Sequence, residues 1–305
     1  MPAARPERLI VFTRFPEPGK TKTRLIPALG ARGAARLQRQ MTEHLMATAA
    51  KLSNRPGLAV EVYHEGGNTG LMQGWLGSQF TYRPQGTGDI GRRMLRAFED
   101  AFQDGTGRAV IMGSDIPQIS ANIIQQAFEG LQKNELVLGP AHDGGYYLIG
   151  MKNSIPAETC HRLFEGIKWG TGSVLSQTVQ TAGESELRFI LLDPLGDVDS
   201  PVDLHIWQEV EKTAAQKISI IIPTLNEAAT IGRTLSRLEK AENLEVIVVD
   251  GGSIDTTAES AASRGVKVIQ STPGKAVQMN TGASAATGDI LVFPHADTLL
   301  PEGYS

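Results

Sequence analysis

Short apolar runs recur along the chain, and each is bounded by Gly, Pro or polar residues. Most of them are separated by segments with apolar residues at helical spacing, such as Leu37, Met41 and Leu45 within 31–52. Strands that alternate with helices predict an α/β layered fold with a largely parallel sheet. The predicted strands are 9–12, 58–63, 109–112, 136–138, 146–149, 189–192, 218–222, 245–249, 266–269 and 290–293.

The alternation of strands and helices begins a second time after a polar helical segment at 203–217, with a strand at 218–222. We therefore expect two domains, 1–213 and 217–305, with a boundary near residue 215. The second domain has only about 90 residues, whereas doubly wound domains more often run to about 100–150. The sequence therefore predicts that the second domain is incomplete.

The composition excludes several classes of protein. A net charge of −4 gives no basic surface for nucleic acid. No apolar run approaches the roughly 18 residues of a membrane-spanning helix. The single cysteine, Cys160, excludes an intrachain disulfide and a cysteine-based zinc site. Because the first residues lead into a strand rather than into the apolar region of a signal peptide, we predict a soluble cytoplasmic protein.

Three aspartates, Asp115, Asp250 and Asp297, each follow a predicted strand. Ligands of open α/β sheets bind outside the carboxyl ends of the strands. Carboxylates at that edge can hold Mg²⁺ or Mn²⁺ that bridges nucleotide phosphates. The alternative is that each aspartate caps a turn or the following helix. The recurrence in both domains favours the metal.

Two glycine-containing segments resemble known nucleotide-binding motifs but do not fit them. Residues 86–91 match G-x-G-x-x-G, and Asp115 lies about 20 residues beyond, as a dinucleotide site requires. However, Pro84 makes the preceding segment a poor central strand. Residues 19–21 resemble the end of a P-loop, but Arg14 stands where that motif requires glycine.

The first domain resembles the DUF2064, or CofC-like, branch of the nucleotidyl- and glycosyltransferases. The motifs occur in order over nearly the whole domain. The resemblance implies a GT-A-like, or Rossmann-like, nucleotide-diphospho-sugar-transferase fold around a nucleotide. The matching segments are RFPEPGKTKTRL at 14–25, GDIGRRM at 88–94, GSDIP at 113–117, GPAHDGGYYL at 139–148, WGT at 169–171 and DVDSPVDL at 197–204.

Lys22, Arg24 and Asp143 are the candidate nucleotide-binding residues of the first domain. The two cations lie on the loop after the first strand and can neutralise a diphosphate or triphosphate. The alternative is that they are solvated loop charges. Asp143 precedes two glycines that allow backbone to approach a ligand closely, although the same pattern is typical of a tight turn.

The candidate metal ligands of the first domain are Asp115, Asp197 and Asp199. Asp115 is the expected first ligand because it follows the strand at 109–112. The resemblance implies that Asp197 and Asp199 approach the same Mg²⁺ or Mn²⁺ from a later loop. Hard cations of this kind prefer oxygen ligands.

The second domain resembles the family 2 glycosyltransferases. The resemblance implies that Glu227 and Asp250 contact the nucleoside of the donor, that Asp297 binds the metal at its diphosphate, and that the segment with Lys275 approaches the donor. The matching segments are IIIPTLNE at 220–227, DGGSIDTT at 250–257 and HADT at 295–298.

Two positions depart from the usual pattern of this family. Gly251 follows Asp250 where a second Asp is usual, and His295 takes the first position of the D-x-D motif. Both variants resemble a subgroup linked to arsenosugar biosynthesis, whose members accompany DUF2064 proteins or are fused to them. His295 is a candidate metal ligand or phosphate contact.

The function that we expect is that of a metal-assisted, nucleotide-sugar-dependent glycosyltransferase. The alternatives are nucleotidyl transfer by the first domain and a catalytically silent nucleotide-binding scaffold. An inverting transferase needs a base for the acceptor hydroxyl, and the family places it after the metal motif. We therefore expect the base to lie beyond Ser305. Besides a nucleotide or nucleotide-sugar, a second copy of the chain is a candidate partner, because it would cover an open sheet edge.

Overall fold

A computed structural model of the chain describes residues 6–52, 55–238 and 243–298. Contacts within the chain divide it into two compact units, Met1–Val210 and Glu211–Ser305. The domain limits expected from the sequence stay predictions, because a division by contacts does not show that either part folds alone.

The first unit is built around a mixed sheet. Its described strands are β1 (Glu7–Arg14), β2 (Leu58–Glu65), β3 (Thr81–Pro84), β4 (Arg108–Gly113), β5 (Leu136–Pro140), β6 (Tyr146–Lys152) and β7 (Phe189–Leu191). Within the described residues these seven strands lie in the order β3-β2-β1-β4-β6-β5-β7. All neighbouring strands are parallel except β6, which runs antiparallel to both β4 and β5.

The direction of β6 follows from the length of the preceding connection. Residues 141–145 join β5 to β6 directly, and this turn is too short for the crossover that parallel strands need. β3 lies at the edge of the sheet, where the missing N–H of Pro84 is tolerated. The largely parallel sheet is therefore interrupted at one strand.

Helices cover both faces of this sheet. They are α1 (Ile26–Lys51), α2 (Thr69–Leu76), α3 (Ile90–Gln103), α4 (Ala121–Lys133), α5 (Ala157–Arg162) and α6 (Val174–Glu184). A further helix, α7 (Leu204–Ala215), shares an apolar cluster with α1. Successive strand residues point to opposite faces. Accordingly, Val11 packs in one apolar core with Met72 and Phe128, and Ile10 packs in the other with Phe98.

The helix expected at 31–52 begins earlier than predicted, at Ile26. A kink divides it, because Gly30 has a φ of 69° that is not helical. Pro27 lies in its first turn, where the missing N–H costs no helical hydrogen bond.

The second unit contains a parallel sheet. Its described strands are β8 (Ile218–Thr224), β9 (Leu244–Asp250), β10 (Lys267–Gln270) and β11 (Ile290–Val292), and its described helices are α8 (Ile231–Ser236), α9 (Thr257–Ala262) and α10 (Lys275–Ala285). Within the described residues the strands lie in the order β10-β9-β8-β11, all parallel. Apolar side chains of β8 and β9 enter cores on both faces of the sheet, as continuous apolar strands require.

The α/β fold class predicted from the sequence is confirmed in both units. None of the helices in the described ranges is long and apolar enough to cross a membrane. The cytoplasmic location stays a prediction, as does the incompleteness of the second unit. The end of the second predicted domain, 299–305, lies outside the described residues.

Candidate nucleotide-binding sites

A cavity of about 480 Å³ opens in the first unit at the carboxyl ends of β1 and β4. Parallel strands of open α/β sheets direct their ligands to this edge. The structure brings to this cavity all the first-unit residues that the sequence nominated: Lys22, Arg24, Asp115, Asp143, Asp197 and Asp199.

Lys22 lies between two of the candidate metal ligands. Its Nζ is 2.7 Å from Asp199 Oδ1 and 3.6 Å from Asp115 Oδ2, and its side chain is only 8% exposed. Burial alone would lower the pKa of the ammonium, but Asp115 and Asp199 outweigh burial and raise the pKa. Lys22 is therefore a charged, paired side chain and not a solvated loop charge.

Arg24 also faces the carboxylates, since its Nη1 lies 3.5 Å from Asp199 Oδ2. Its side chain is largely exposed, so that it can turn toward a ligand at the mouth of the cavity. In this structure the two loop cations balance part of the negative charge at the site.

Asp197 carries the least well compensated of these negative charges. Burial raises the pKa of its carboxyl group to about 6, with further contributions from Asp199, Asp115 and Asp143. The Val198 N–H donates to the Asp115 carbonyl at 3.1 Å. This backbone bond fixes the loop of Asp197 and Asp199 beside the end of β4.

Asp143 serves the turn between β5 and β6 while it lines the cavity. Its Oδ1 accepts the Gly145 N–H at 2.8 Å. Gly144 has a φ of 88°, and a Cβ there would overlap the carbonyl of Gly172. The tight-turn interpretation of the Asp-Gly-Gly segment therefore applies, and the turn holds the carboxylate at the cavity wall. Contact with a ligand stays a prediction.

The floor of the cavity is a buried polar network that the sequence did not reveal. Ser114 Oγ donates to Thr13 Oγ1 at 2.9 Å, and Gln38 Nε2 donates to Ser114 Oγ at 3.0 Å. Gln38 also reaches Thr42 on its own helix at 3.1 Å. These bonds connect the ends of β1 and β4 to α1.

Gln85 and Arg93 form a second group that the sequence did not nominate. Gln85 Nε2 donates to the carbonyls of Thr13 and Tyr63 at 3.1 and 3.0 Å. Arg93 Nη1 lies 3.2 Å from Gln85 Oε1 and 3.1 Å from Glu65 Oε2. The glycine-rich segment 86–91 leads from the edge strand β3 into α3.

In the second unit, two loops meet where β8 and β9 end. The Asn226 N–H donates to Ser253 Oγ at 2.9 Å, and the Ile254 N–H donates to Asn226 Oδ1 at 2.9 Å. Asn226 has a φ of 56°, which asparagine tolerates better than most residues. These bonds place the segments of Glu227 and Asp250 side by side.

Asp250 is buried and its carboxylate is engaged by its own turn. It accepts the N–H groups of Gly252 and Ser253 at 3.2 and 3.0 Å, as well as the Ser253 hydroxyl. Burial alone would raise the pKa of Asp250, but the bonds from Ser253 and Gly252 lower it. Glu227 accepts the Thr230 hydroxyl at 2.6 Å.

Lys275 lies at the start of α10 and contacts the variant metal motif. Its Nζ is 2.7 Å from His295 Nε2. Because an ammonium can only donate, Lys275 is the donor in this contact. Asp297 is exposed, so its carboxylate is open to a ligand.

The carboxylates of the first unit fit a hard cation that shares its other ligands with a phosphate. No group of three or more His, Cys, Asp or Glu side chains in the described part of the chain is arranged to hold a metal by itself. Mg²⁺, however, is commonly bound by one or two carboxylates together with substrate phosphates. Asp115 and Asp199, which both lie near the Lys22 ammonium, supply two such carboxylates.

Comparison with known proteins supports the α/β fold class described above. The structure is similar to the crystal structure of a Desulfovibrio desulfuricans G20 protein provisionally described as a nucleotide-diphospho-sugar transferase, with a TM-score of 0.62 and 34% sequence identity. The match covers 68% of this chain and 89% of that one.

The curated relatives each match about a third of the chain. Glucosyl-3-phosphoglycerate synthase of Mycolicibacterium smegmatis is 33% identical over 32% of this chain and 39% of its own length. The 4,4'-diaponeurosporenoate glycosyltransferase of Staphylococcus haemolyticus is 37% identical over 30% of this chain and 26% of its own. The chain thus spans well under half the length of these relatives.

The fold and the cavity define a protein of the nucleotide-diphospho-sugar transferase class. Residues 48–171 match the family described as "Uncharacterized protein conserved in bacteria (DUF2064)", and residues 219–304 match "Glycosyl transferase family 2". The first unit is thus similar to the DUF2064 family and the second unit to glycosyl transferase family 2. The resemblances predicted from the sequence are confirmed at this level, and the arsenosugar subgroup stays a prediction.

Proposed function

We propose that the protein is a GT-A-type glycosyltransferase that uses a nucleotide-sugar donor. The observation that carries the proposal is the junction of the two family 2 segments at the ends of β8 and β9, where Asn226, Ser253 and Ile254 lock the loops of Glu227 and Asp250 together. One of the curated relatives is a glycosyltransferase by name, which supports the same chemistry here.

Each nominated residue of the second unit receives a role in donor binding. Glu227 and Asp250 hold the nucleoside, with Asp250 kept ionised by its turn. Lys275 offsets the diphosphate charge and also orients His295 through their contact. Asp297 is the proposed ligand of Mg²⁺ or Mn²⁺, which would stabilise the leaving diphosphate when bound. We assign no base among the described residues.

The first unit is proposed to bind a second nucleotide or nucleotide-sugar in its cavity. Lys22, Arg24 and Asp143 would contact the ligand, while Asp115, Asp197 and Asp199 would hold the metal that accompanies its phosphates. The convergence of these side chains on one cavity supports the proposal. The same geometry favours nucleotidyl transfer as a second candidate activity, because a triphosphate needs the same cations and carboxylates.

Gly251 and His295 support a narrower proposal about the acceptor. Both variants resemble those of the arsenosugar-linked subgroup, and we propose an acceptor of arsenosugar biosynthesis or of a related glycoconjugate pathway. A transfer assay with arsenic-containing and arsenic-free acceptors tests the arsenosugar part separately. Transfer to arsenic-free acceptors alone would contradict the arsenosugar part and favour a related glycoconjugate.

A binding panel tests the proposed donor site. The full chain is mixed with Mn²⁺ and with UDP-, GDP-, ADP- and TDP-sugars, and the melting temperature is measured, since a ligand that binds the folded state raises it. We expect at least one nucleotide-sugar to stabilise the wild type, and Lys275→Ala to weaken this stabilisation. Lys267→Ala is the matched control, because Lys267 donates to the Ala285 carbonyl and is not among the nominated residues. Equal stabilisation of all three proteins would contradict the assignment of Lys275.

A further inference from the structure

The Lys22 ammonium lies between Asp115 and Asp199, the two proposed metal ligands that it contacts. Nζ is 2.7 Å from Asp199 Oδ1 and 3.6 Å from Asp115 Oδ2. Mg²⁺ binds carboxylate oxygens at about 2.1 Å. A divalent ion bridging these two oxygens would therefore lie within contact distance of the ammonium, and the two cations would repel each other.

The loop holds Lys22 in this place by local structure. Lys22 has a left-handed backbone, with φ and ψ both 48°, which is uncommon for a residue other than glycine. The Thr21 hydroxyl donates to the Phe15 carbonyl at 3.0 Å, and Arg14 Nη1 donates to the Lys20 carbonyl at 2.9 Å. These bonds hold the backbone just before Lys22, and the Leu25 N–H donates to the Lys22 carbonyl at 2.9 Å. Together they fix the backbone that directs the side chain inward.

The neighbouring lysine shows that this placement is specific. Lys20 Nζ pairs with Glu17 at 2.8 Å, and its side chain is 71% exposed, against 8% for Lys22. The two lysines of this loop thus have different surroundings. Of the two, Lys22 is the one that contacts the carboxylates of the cavity.

We propose that Lys22 and the divalent cation are alternative occupants of the Asp115–Asp199 pair, so that Lys22 sets the metal affinity of the first unit. Lys22 leaves the pair when the metal enters and is then free to face the phosphates of the ligand. This inference rests on the proposed nucleotide site for the identity of the cation, but its test uses Mn²⁺ alone and needs neither donor nor activity.

Binding of Mn²⁺ to the full chain, followed by electron paramagnetic resonance, tests the inference. All proteins carry Asp297→Asn, which removes the proposed metal ligand of the second unit. Lys22→Met in this background is expected to bind Mn²⁺ at least about ten-fold more tightly than its parent, the Asp297→Asn protein, because a buried competing charge is gone. Lys22→Arg, which keeps the charge, and Lys20→Met, the matched control, are expected to bind like the parent.

A gain in Lys22→Met that disappears when Asp199→Asn is added would support the shared site. Equal or weaker Mn²⁺ binding by Lys22→Met would overturn the inference. Because that variant loses a buried charge and could fold poorly, amine labelling of the wild type provides an independent measurement. Acetylation of Lys22, quantified by mass spectrometry, should accelerate when Mn²⁺ saturates the protein, and an unchanged rate relative to Lys20 would overturn the inference.

Discussion

Gln38 is the residue on which the floor of the first cavity depends. Its amide reaches Thr42 and Ser114 in a buried network. Gln38→Ala is expected to lower the free energy of unfolding by about 1–3 kcal/mol, because it leaves buried polar partners unsatisfied. Urea unfolding measures this effect. Gln126→Ala, at an exposed position of α4, should change the free energy by less than about 0.5 kcal/mol.

Asp115 is the residue whose charge most directly tests the proposed metal site of the first unit. Asp115→Asn keeps the shape of the side chain but weakens binding of a hard cation. The loss should exceed the roughly 10–100-fold in metal affinity that removal of a partner behind a metal ligand costs. Calorimetric titration with nucleotide, with and without Mn²⁺, measures the change.

The control for Asp115→Asn is Asp193→Asn, an equal charge change at an exposed residue. If the Asp115 variant keeps the Mn²⁺ dependence of nucleotide binding seen in the wild type, Asp115 is not a metal ligand.

The residues of the site were predictable where they follow a strand. Asp115 lies two residues after the end of β4, so its location at the edge of the sheet follows from that of the strand. Lys22 was nominated as a phosphate contact, but its pairing with Asp199 links positions 177 residues apart, which the sequence does not indicate. Gln38 and Gln85 could not be found, because single polar residues in a helix or a loop show no pattern that distinguishes buried from exposed ones.

The turn between β5 and β6 is the element that presents Asp143 to the cavity. Gly144→Ala is expected to destabilise the protein in two ways, since φ is 88° and a Cβ would overlap the Gly172 carbonyl. Positive φ alone costs about 1–3 kcal/mol. Gly166→Ala is the matched control, because its φ is 72° but its Cβ would meet nothing within 4 Å.

Thermal or urea unfolding of both glycine variants separates strain from overlap. We expect Gly144→Ala to lose more stability than Gly166→Ala and also to weaken nucleotide binding. Equal losses would mean that the packing of this turn against Gly172 does not contribute.

The positions of the strands were predicted well where the apolar runs are continuous. The direction of a strand within the sheet was predicted poorly. The strands from β1 to β11 coincide with apolar runs, apart from the short edge strand β3, because burial requires such runs. The direction of β6 was missed, although the short connection at 141–145 was visible in the sequence. The early start of α1 was missed because Gly30 interrupts the helical pattern.

At the scale of the whole molecule, the apolar cores of the first unit consist of residues from within that unit. The fragment 1–213 is therefore expected to unfold cooperatively and to keep the nucleotide affinity of the full chain. Circular dichroism and calorimetric titration measure both properties. A fragment that aggregates or shows no cooperative transition would contradict the predicted domain limits.

The analysis of reaction products tests the central claim, transfer of a sugar from a nucleotide-sugar, most directly. The full chain is incubated with Mn²⁺, nucleotide-sugars and acceptors, and in parallel with nucleoside triphosphates and sugar phosphates, and the released nucleotide is identified by chromatography. The account predicts a nucleoside diphosphate from a nucleotide-sugar, with a rate that falls in Asp297→Asn. Release of pyrophosphate from a triphosphate, with no nucleoside diphosphate from any donor, would contradict it and favour nucleotidyl transfer by the first unit.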